Sequence, residues 1–286
     1  MHVNTFIKRR IDVVSDAAQR CLVRIDPVRF WRWEHRRRGS KMEVELNLIP
    51  FFCARGRPMV DVGANTGVYV SLCQPYVERS FAFEPVPKLA SLLRRALSRR
   101  PVEVHQVAVS DANATATLRL PRGHSSVSTI ADTNRLEAVA ERVDEVEVRT
   151  RTLDSYELDD VGFVKIDVEG HEPAVIRGAD ATLRRCRPHL LLEAEERYRA
   201  GIVAELAAML ADRGYEGFFI ASRTLHSVKS FDRAKHQRRG RGSEYIRNFI
   251  YVPSEDAPGL RAFCRRELGI AAAAPAKEDL PAPGPS

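Results

Sequence analysis

"MVDVGANTGVYV", Met59 to Val70, decides the fold. A short apolar run stops at Asp61-Val62-Gly63, a glycine-bracketed turn follows, and a helix starts at Gly67. This is the strand–turn–helix unit of a nucleotide-type α/β fold, in which glycines allow a tight turn and the close approach of a ligand. "SFAFE" is the next strand and ends on Glu84, 21 residues after Gly63. An acid at about that distance suits a grip on a ribose diol.

Alternation continues downstream. "PKLASLLRRALSRR" is a helix with Leu89, Leu92, Leu93 and Leu97 on one face, and "VEVHQVAV" is a third strand. Weaker strand patterns at Ala114–Leu120 and Val143–Thr150 flank the polar "PRGHSSVSTIADTN". "VGFVKIDV" is the fourth core strand, followed by a helix to Arg185. "PHLLLEA" is the fifth, with a helix from about Ile202 to Asp212, and "YEGFFIA" and "NFIYVP" are the last two. Strands alternating with helices predict a mostly parallel sheet covered on both faces.

The remaining segments read as additions. Val3, Ile7, Ile11, Val14, Ala18, Cys21 and Ile25 have helical spacing, and Pro27 is expected to end that helix. "RFWRWEHRRRGSK" then completes a basic extension over residues 1–42. The catalytic-type domain is expected over 43–268, with a basic loop insertion at 223–244 and a disordered tail over 269–286.

The chain has 286 residues, 44% of them apolar, and a net charge of +7. Residues 1–41 carry eleven Lys/Arg against four Asp/Glu, and residues 223–241 seven against one. The rest of the chain holds 27 against 33 and is mildly acidic. The basic appendages suit phosphates, acidic lipids or a plain solvated surface. No apolar run approaches a membrane span, and the start of the chain lacks a signal-peptide pattern. The five cysteines show no metal spacing. A cytoplasmic protein with reduced thiols is expected. The N-terminal helix, with Trp31, Trp33, Arg36, Arg37 and Arg38 beside it, could meet an anionic membrane; packing on the domain or a second subunit is the preferred reading.

Two cofactors compete for the glycine turn. A dinucleotide wants its pyrophosphate over G-x-G-x-x-G, but here Asn65 stands at the second glycine and Asp61 would oppose the phosphates. S-adenosylmethionine carries an ammonium and a sulfonium and no phosphate, so an acid at the first strand end is welcome. The sulfonium cofactor is therefore favoured.

"DVGANTGVYVSL", "FAFEPVPKLASLLRRAL", "TLDSYELDDVGFVKIDVEGHEPAVIRGA", "RPHLLLEAEE" and "NFIYVP" together resemble the FkbM-type methyltransferases, from roughly Glu43 to Pro253. "KIDVEGHE" with its downstream "GA" is the most specific piece. The resemblance implies a class I methyltransferase (Rossmann-like) fold with seven strands. It also implies methyl transfer from S-adenosylmethionine, mostly to hydroxyls of sugars and natural products. Through it, Asp61, Gly63, Asn65, Thr66 and Gly67 would line the methionine end of the cofactor, and Glu84 the ribose.

"FVKIDVEGHEPAVIRG", Phe163 to Gly178, places Asp167, Glu169, His171 and Glu172 at the mouth of the sheet over a helix N-terminus. A sugar hydroxyl is a poor nucleophile, so a base assists its attack. His171 has a suited pKa, and Asp167 or Glu169 could orient it or replace it. A metal held by Asp167 and Glu193 is the alternative, and nothing in the spacing favours it. Glu172 is expected only to cap, and Lys165 to partner a carboxylate. A small-molecule or glycan acceptor fits this site. A nucleic-acid methyltransferase would explain the basic arms, but no Asn-Pro-Pro-aromatic motif follows the fourth strand. A non-catalytic binder with a degenerate site is the third reading.

Overall fold

The computed structural model describes residues 27–38, 43–121, 128–131, 142–238 and 244–273. The predicted helix over residues 3–25 lies outside them. Nine strands form the main sheet: β1 (Met59–Val62), β2 (Ser80–Phe83), β3 (Val102–His105), β7 (Phe163–Ile166), β8 (His189–Glu193), β9 (Tyr215–Ala221), β10 (Thr224–Ser227), β11 (Asn248–Pro253) and β12 (Ala271–Ala272). Its seven central strands run in the order β3-β2-β1-β7-β8-β11-β9. The first five of these pair in parallel, and β11 inserts antiparallel between β8 and β9. The order steps outward from β1 in both directions, which opens a crevice at the carboxyl ends beside β1. Among the described residues no helix is long and apolar enough to cross a membrane.

Burial on both faces explains the near-continuous apolar strands. Val60, Val62, Val164, Ile166, Leu190 and Leu192 share one core with Val175, Ile176, Leu183 and Leu206. Those four come from helices α5 (Glu172–Arg177), α6 (Asp180–Cys186) and α7 (Ile202–Ala211). Met59, Phe163 and Leu191 point to the other core, under α2 (Ile49–Phe52), α3 (Val68–Cys73), α4 (Pro87–Ala96) and α9 (Ala257–Leu268). The period of two therefore puts Asp61, Lys165 and Glu193 on this second face, at the strand ends.

Several expectations are corrected. A further helix, α1 (Pro27–Arg38), begins at Pro27, whose missing N–H costs nothing in a first turn; whether Pro27 ends the helix before it lies outside the described residues. Val28 and Phe30 of α1 are buried, and Trp31 donates from Nε1 to the Thr66 carbonyl at 3.3 Å, so α1 covers the glycine turn. Trp33 remains 52% exposed. The third strand breaks after His105, and Ala108–Val109 (β4) leaves the main sheet. It joins a three-stranded sheet with β5 (Ala114–Pro121) and β6 (Val143–Arg151), which is where the two weak strand patterns belong. The helix expected up to Arg185 is two helices broken near Gly178. A Cβ on Gly178 would lie 1.9 Å from the Ser110 carbonyl oxygen, so the chain after β4 packs too closely at the break for any side chain.

The basic stretch 223–244 is no plain loop. It forms β10, a 3-10 turn at Val228–Ser230 and α8 (Arg233–His236), capped by Asp232 at 2.8 Å from Ala234 N. Phe231 packs edge-on against Phe219 and Phe249, an aromatic anchor hidden among the charges. Residues 269–273, expected within the tail, are ordered. Ile270 is buried and β12 pairs with β10, because the free edge of β10 offers a ladder. Residues 274–286 lie outside the description.

Candidate active site

Four strand ends converge. β1 runs into Gly63, β2 into Glu84 and β7 into Asp167, each one residue past its strand, and β8 ends on Glu193. Gly63 (φ +79°) adopts a left-handed conformation, and a Cβ there would meet the Asp167 carbonyl at 1.9 Å. Gly67 (φ +79°) faces Leu93 Cδ2 at 2.8 Å in the same test. Gly63 is thus demanded by neighbouring backbone as well as by its φ, whereas at Gly67 the positive φ weighs more than the movable Leu93 tip.

Glu84 is buried and holds the turn. Its Oε2 accepts from Asn65 N at 2.7 Å and its Oε1 from Val86 N at 2.8 Å. Burial pushes its carboxyl up to about 7 despite those two N–H groups. Each oxygen keeps a lone pair for a further donor. Beside it lies a cleft with apolar walls from Val86, Val109, Leu118 and Ile130. The space is narrow, about 50 Å³, because Ser128–Ile130 crosses it. Thr129 fastens that crossing: its hydroxyl lies 3.0 Å from the Glu169 carbonyl and 3.3 Å from the Val168 carbonyl.

The nine residues expected at the site divide. Gly63, Asn65, Glu84, Asp167, Glu169 and His171 line the cleft. Asp61, Thr66 and Gly67 do not. Asp61 lies on the α3 side of the sheet, with Oδ2 accepting from Val70 N at 3.3 Å, and burial pushes it up to about 6. Asp61 therefore supports the start of α3, while the Thr66 carbonyl is taken by Trp31.

At the centre of the second face sits Lys165, 2% exposed. Its Nζ is 3.4 Å from Asp167 Oδ2 and 5.2 Å from the Tyr69 ring centroid. The Tyr69 hydroxyl donates to Glu43 at 2.9 Å, and Arg247 reaches both Glu43 (2.6 Å) and Glu193 (3.7 Å). Burial outweighs these cations at Glu193, where Asp167 adds repulsion, and its carboxyl rises to about 9. Glu169, in the left-handed region at φ +55°, rises to about 8 through burial and then Asp167. Glu172 staples the turn between them. Its Oε1 accepts from Gly170 N at 3.1 Å and Val168 N at 3.3 Å, so it ties the loop before α5 and does not cap the helix as expected.

Glu169 and His171 diverge. Glu169 is coupled to Tyr198, whose hydroxyl is held well above its usual range by burial and then by the Glu169 charge. His171 faces β4, with Nε2 2.9 Å from Ser110 Oγ. Ser110 in turn meets Asp111 at 3.2 Å, and Arg177 grips Asp111 at 2.8 Å. Asp167 and Glu193, the pair considered for a metal, are brought together around the Lys165 ammonium. Among the described residues no group of three His, Cys, Asp or Glu side chains could hold an ion. Sequence reasoning gave Lys165 a minor part; a lysine inside a four-residue apolar strand was the available signal. Tyr69, Tyr198 and Arg247 carried none.

Six buried carboxyls share one sign of pH response, whereas Glu43, despite partial burial, is held down by Arg247 and Lys165. Asp61 stands at about 6, Glu45, Glu84 and Glu172 at about 7, Glu169 at about 8 and Glu193 at about 9, all above the ordinary range. The folded state thus holds protons that the unfolded state releases. That stability is complete below about pH 4.5 and is lost as pH rises through 6 to 9. The melting temperature is expected to fall by several degrees between pH 6 and pH 9. Scanning calorimetry at constant ionic strength checks this, and a rising melting temperature would contradict the assignment.

A parallel sheet ordered outward from β1, with acids at the ends of β1, β2, β7 and β8, defines a class I methyltransferase. The chain belongs to the FkbM methyltransferase domain family, whose model matches residues 61–216. No curated protein matches. Some solved structures are similar to parts of this chain. The methyltransferase FkbM from Methylobacillus flagellatus KT has 18% identity and a TM-score of 0.44 over 68% of this chain and 43% of that one. The match thus spans less than half of that protein's length. An O-methyltransferase from Bacillus cereus in complex with SAH has 13% identity and a TM-score of 0.40, over 73% of this chain and 80% of that one.

Proposed function

We propose that this protein is an S-adenosylmethionine-dependent O-methyltransferase acting on a hydroxyl of a sugar, glycan or natural-product-like small molecule. One observation carries the reading. Among the described residues, carboxyl groups outnumber cations around Lys165: Glu43, Asp61, Asp167 and Glu193 act on it, Arg247 lies beside Glu43 and Glu193, and Glu169 lies near Asp167 at the cleft; the raised Glu169 and Glu193 carboxyls are poised to ionise when a cation arrives. Such an excess suits a cationic cofactor and opposes a pyrophosphate. Glu84 offers its remaining lone pairs to a ribose diol, and Val86, Val109, Leu118 and Ile130 form apolar walls for a base. Asp167 offers a carboxylate to an ammonium or sulfonium, and Glu193, raised to about 9, offers a carboxyl that ionises as such a cation arrives.

When bound, the cofactor supplies an electrophilic methyl group on a sulfonium, a good leaving group. The chain supplies position and a proton acceptor. Glu169 is the best-placed base for an acceptor hydroxyl. A cation nearby favours its ionised form and lowers its pKa from about 8 toward neutrality. Asp167 orients, held by Lys165. His171, committed to Ser110, supports the nucleoside side. The four described cysteines are free and buried, in keeping with a reducing compartment such as the cytoplasm.

Calorimetric titration is expected to show binding of S-adenosylmethionine and its demethylated product, and none of NAD. Glu84→Ala should weaken that binding by about 1–3 kcal/mol. Wild-type affinity in the variant would remove Glu84 from the ribose role. Donor turnover against polyhydroxylated acceptors, with mass spectrometry of the product, tests the acceptor class. A chelator is expected to leave turnover unchanged, since the Lys165 ammonium already sits between Asp167 and Glu193. Loss restored by a divalent ion would replace the base with a metal.

A further inference from the structure

A second groove lies behind the cofactor cleft, and nothing in the proposed chemistry uses it. It has a volume of about 440 Å³ and is lined by Arg94, Arg149, Arg151, His105 and Tyr156. The two sites share a wall. Val107 borders both, and Phe83 of the cleft stacks on His105 at 4.9 Å, with the Tyr156 ring edge-on to each.

The charge is out of keeping with the rest of the domain. Several arginines of the domain are ion-paired: Arg57 with Asp160, Arg177 with Asp111, Arg187 with Glu255 and Arg247 with Glu43. Among the described residues, Arg94, Arg149 and Arg151 have no such partner. Arg149 and Arg151 alternate on β6 and so point to the same side. Arg94 is tied by Nε to the Val104 carbonyl at 3.3 Å and by Nη1 to Gln106 at 3.4 Å, which sets its guanidinium in place. Glu103 approaches His105 at 3.7 Å but is engaged by Arg79. Three guanidiniums thus line one groove with no carboxylate among its lining residues, while Glu145 and Glu147 share their side of β6 further along the strand.

We propose that this groove binds a phosphate-bearing small molecule. Guanidinium forks match phosphate oxygens in pairs, and three of them around one cleft outnumber what a single phosphate needs, so a diphosphate or a doubly charged phosphomonoester fits best. The Tyr156 ring and the Val104 and Val107 side chains give such a ligand an apolar floor. The proposal does not depend on the methyl acceptor.

Titration calorimetry of inorganic pyrophosphate into the full chain, at fixed ionic strength, tests it. Saturable binding at one site is expected. The double variant Arg149→Gln/Arg151→Gln should bind at least about tenfold more weakly. Both side chains are exposed, and circular dichroism and melting confirm that the variant folds. Arg95→Gln/Arg99→Gln removes the same charge away from the groove and should bind as the wild type does. Equal weakening in the two variants would overturn the proposal in favour of diffuse charge. So would the absence of saturable binding. Tighter binding of a short single-stranded RNA, with pyrophosphate failing to compete, would make the groove a nucleic-acid surface and overturn it as well.

Discussion

Asp167→Ala is expected to lower kcat/KM for methyl transfer by about 10²–10⁴-fold, the largest catalytic loss of any single change at the site. Asp167 is the one side chain that belongs to both halves of the centre. It lines the cleft with Glu84, and its Oδ2 lies 3.4 Å from the buried Lys165 ammonium. Its charge also helps to hold the carboxyls of Glu169 and Glu193 above their ordinary values. Removing it should lower both and leave Lys165 with less counter-charge. Two companion variants separate the roles of its neighbours. Glu169→Gln should cut turnover by about 10²-fold or more with cofactor affinity nearly kept, the pattern of a lost base. His171→Ala should cost far less, because Ser110 already occupies Nε2. Steady-state kinetics with calorimetric cofactor affinities checks all three. A severe turnover loss in His171→Ala beside an active Glu169→Gln would return the base to the imidazole.

The second large effect concerns folding. Gly63→Ala is expected to leave little or no folded protein. The added methyl would stand 1.9 Å from the Asp167 carbonyl oxygen, a backbone atom held by the β1–β7 ladder, and the φ of +79° is itself unfavourable for alanine. Overpacking of ordinary cores costs about 1–3 kcal/mol, and a backbone collision costs more. Against a total stability of about 5–15 kcal/mol, the loss is disabling. Soluble yield and urea unfolding measure it. A variant with wild-type stability would show that the turn can retreat from β7.

Much of this centre could be read from residue order alone. Apolar runs that stop on acids located the strands and their carboxyl ends, and the helix-like spacing of Leu89, Leu93 and Leu97 located α4. The side on which an acid lies also needs the register. Asp61 pairs with Lys165, so both descend to the α3 face, whereas Glu84 leaves its strand toward the cleft. That pairing is a long-range fact, and local pattern does not contain it. The same holds for the crossing of Thr129 over β7, between atoms 39 and 40 positions apart. The elements of the basic stretch escaped for a different reason: charge marks solvent, and β10 and α8 rest on a few anchors such as Leu225 and Phe231. The glycines were read correctly as a turn, but their cause proved to be neighbouring backbone at Gly63 and the positive φ at Gly67.

The position of β11 has a consequence for biosynthesis. β11 fills the gap between β8 and β9, yet it is made after both. While the ribosome adds the residues from Glu193 to Asn248, at about 5–20 residues per second, the nascent chain carries β8 with one bare apolar edge for about 3–11 s. β9 cannot substitute, because its place lies one strand further out. The last central strand to leave the exit tunnel is therefore the keystone of the sheet. A translational pause before Asn248 would lengthen the exposure of that edge, and a pause after Pro253 would not.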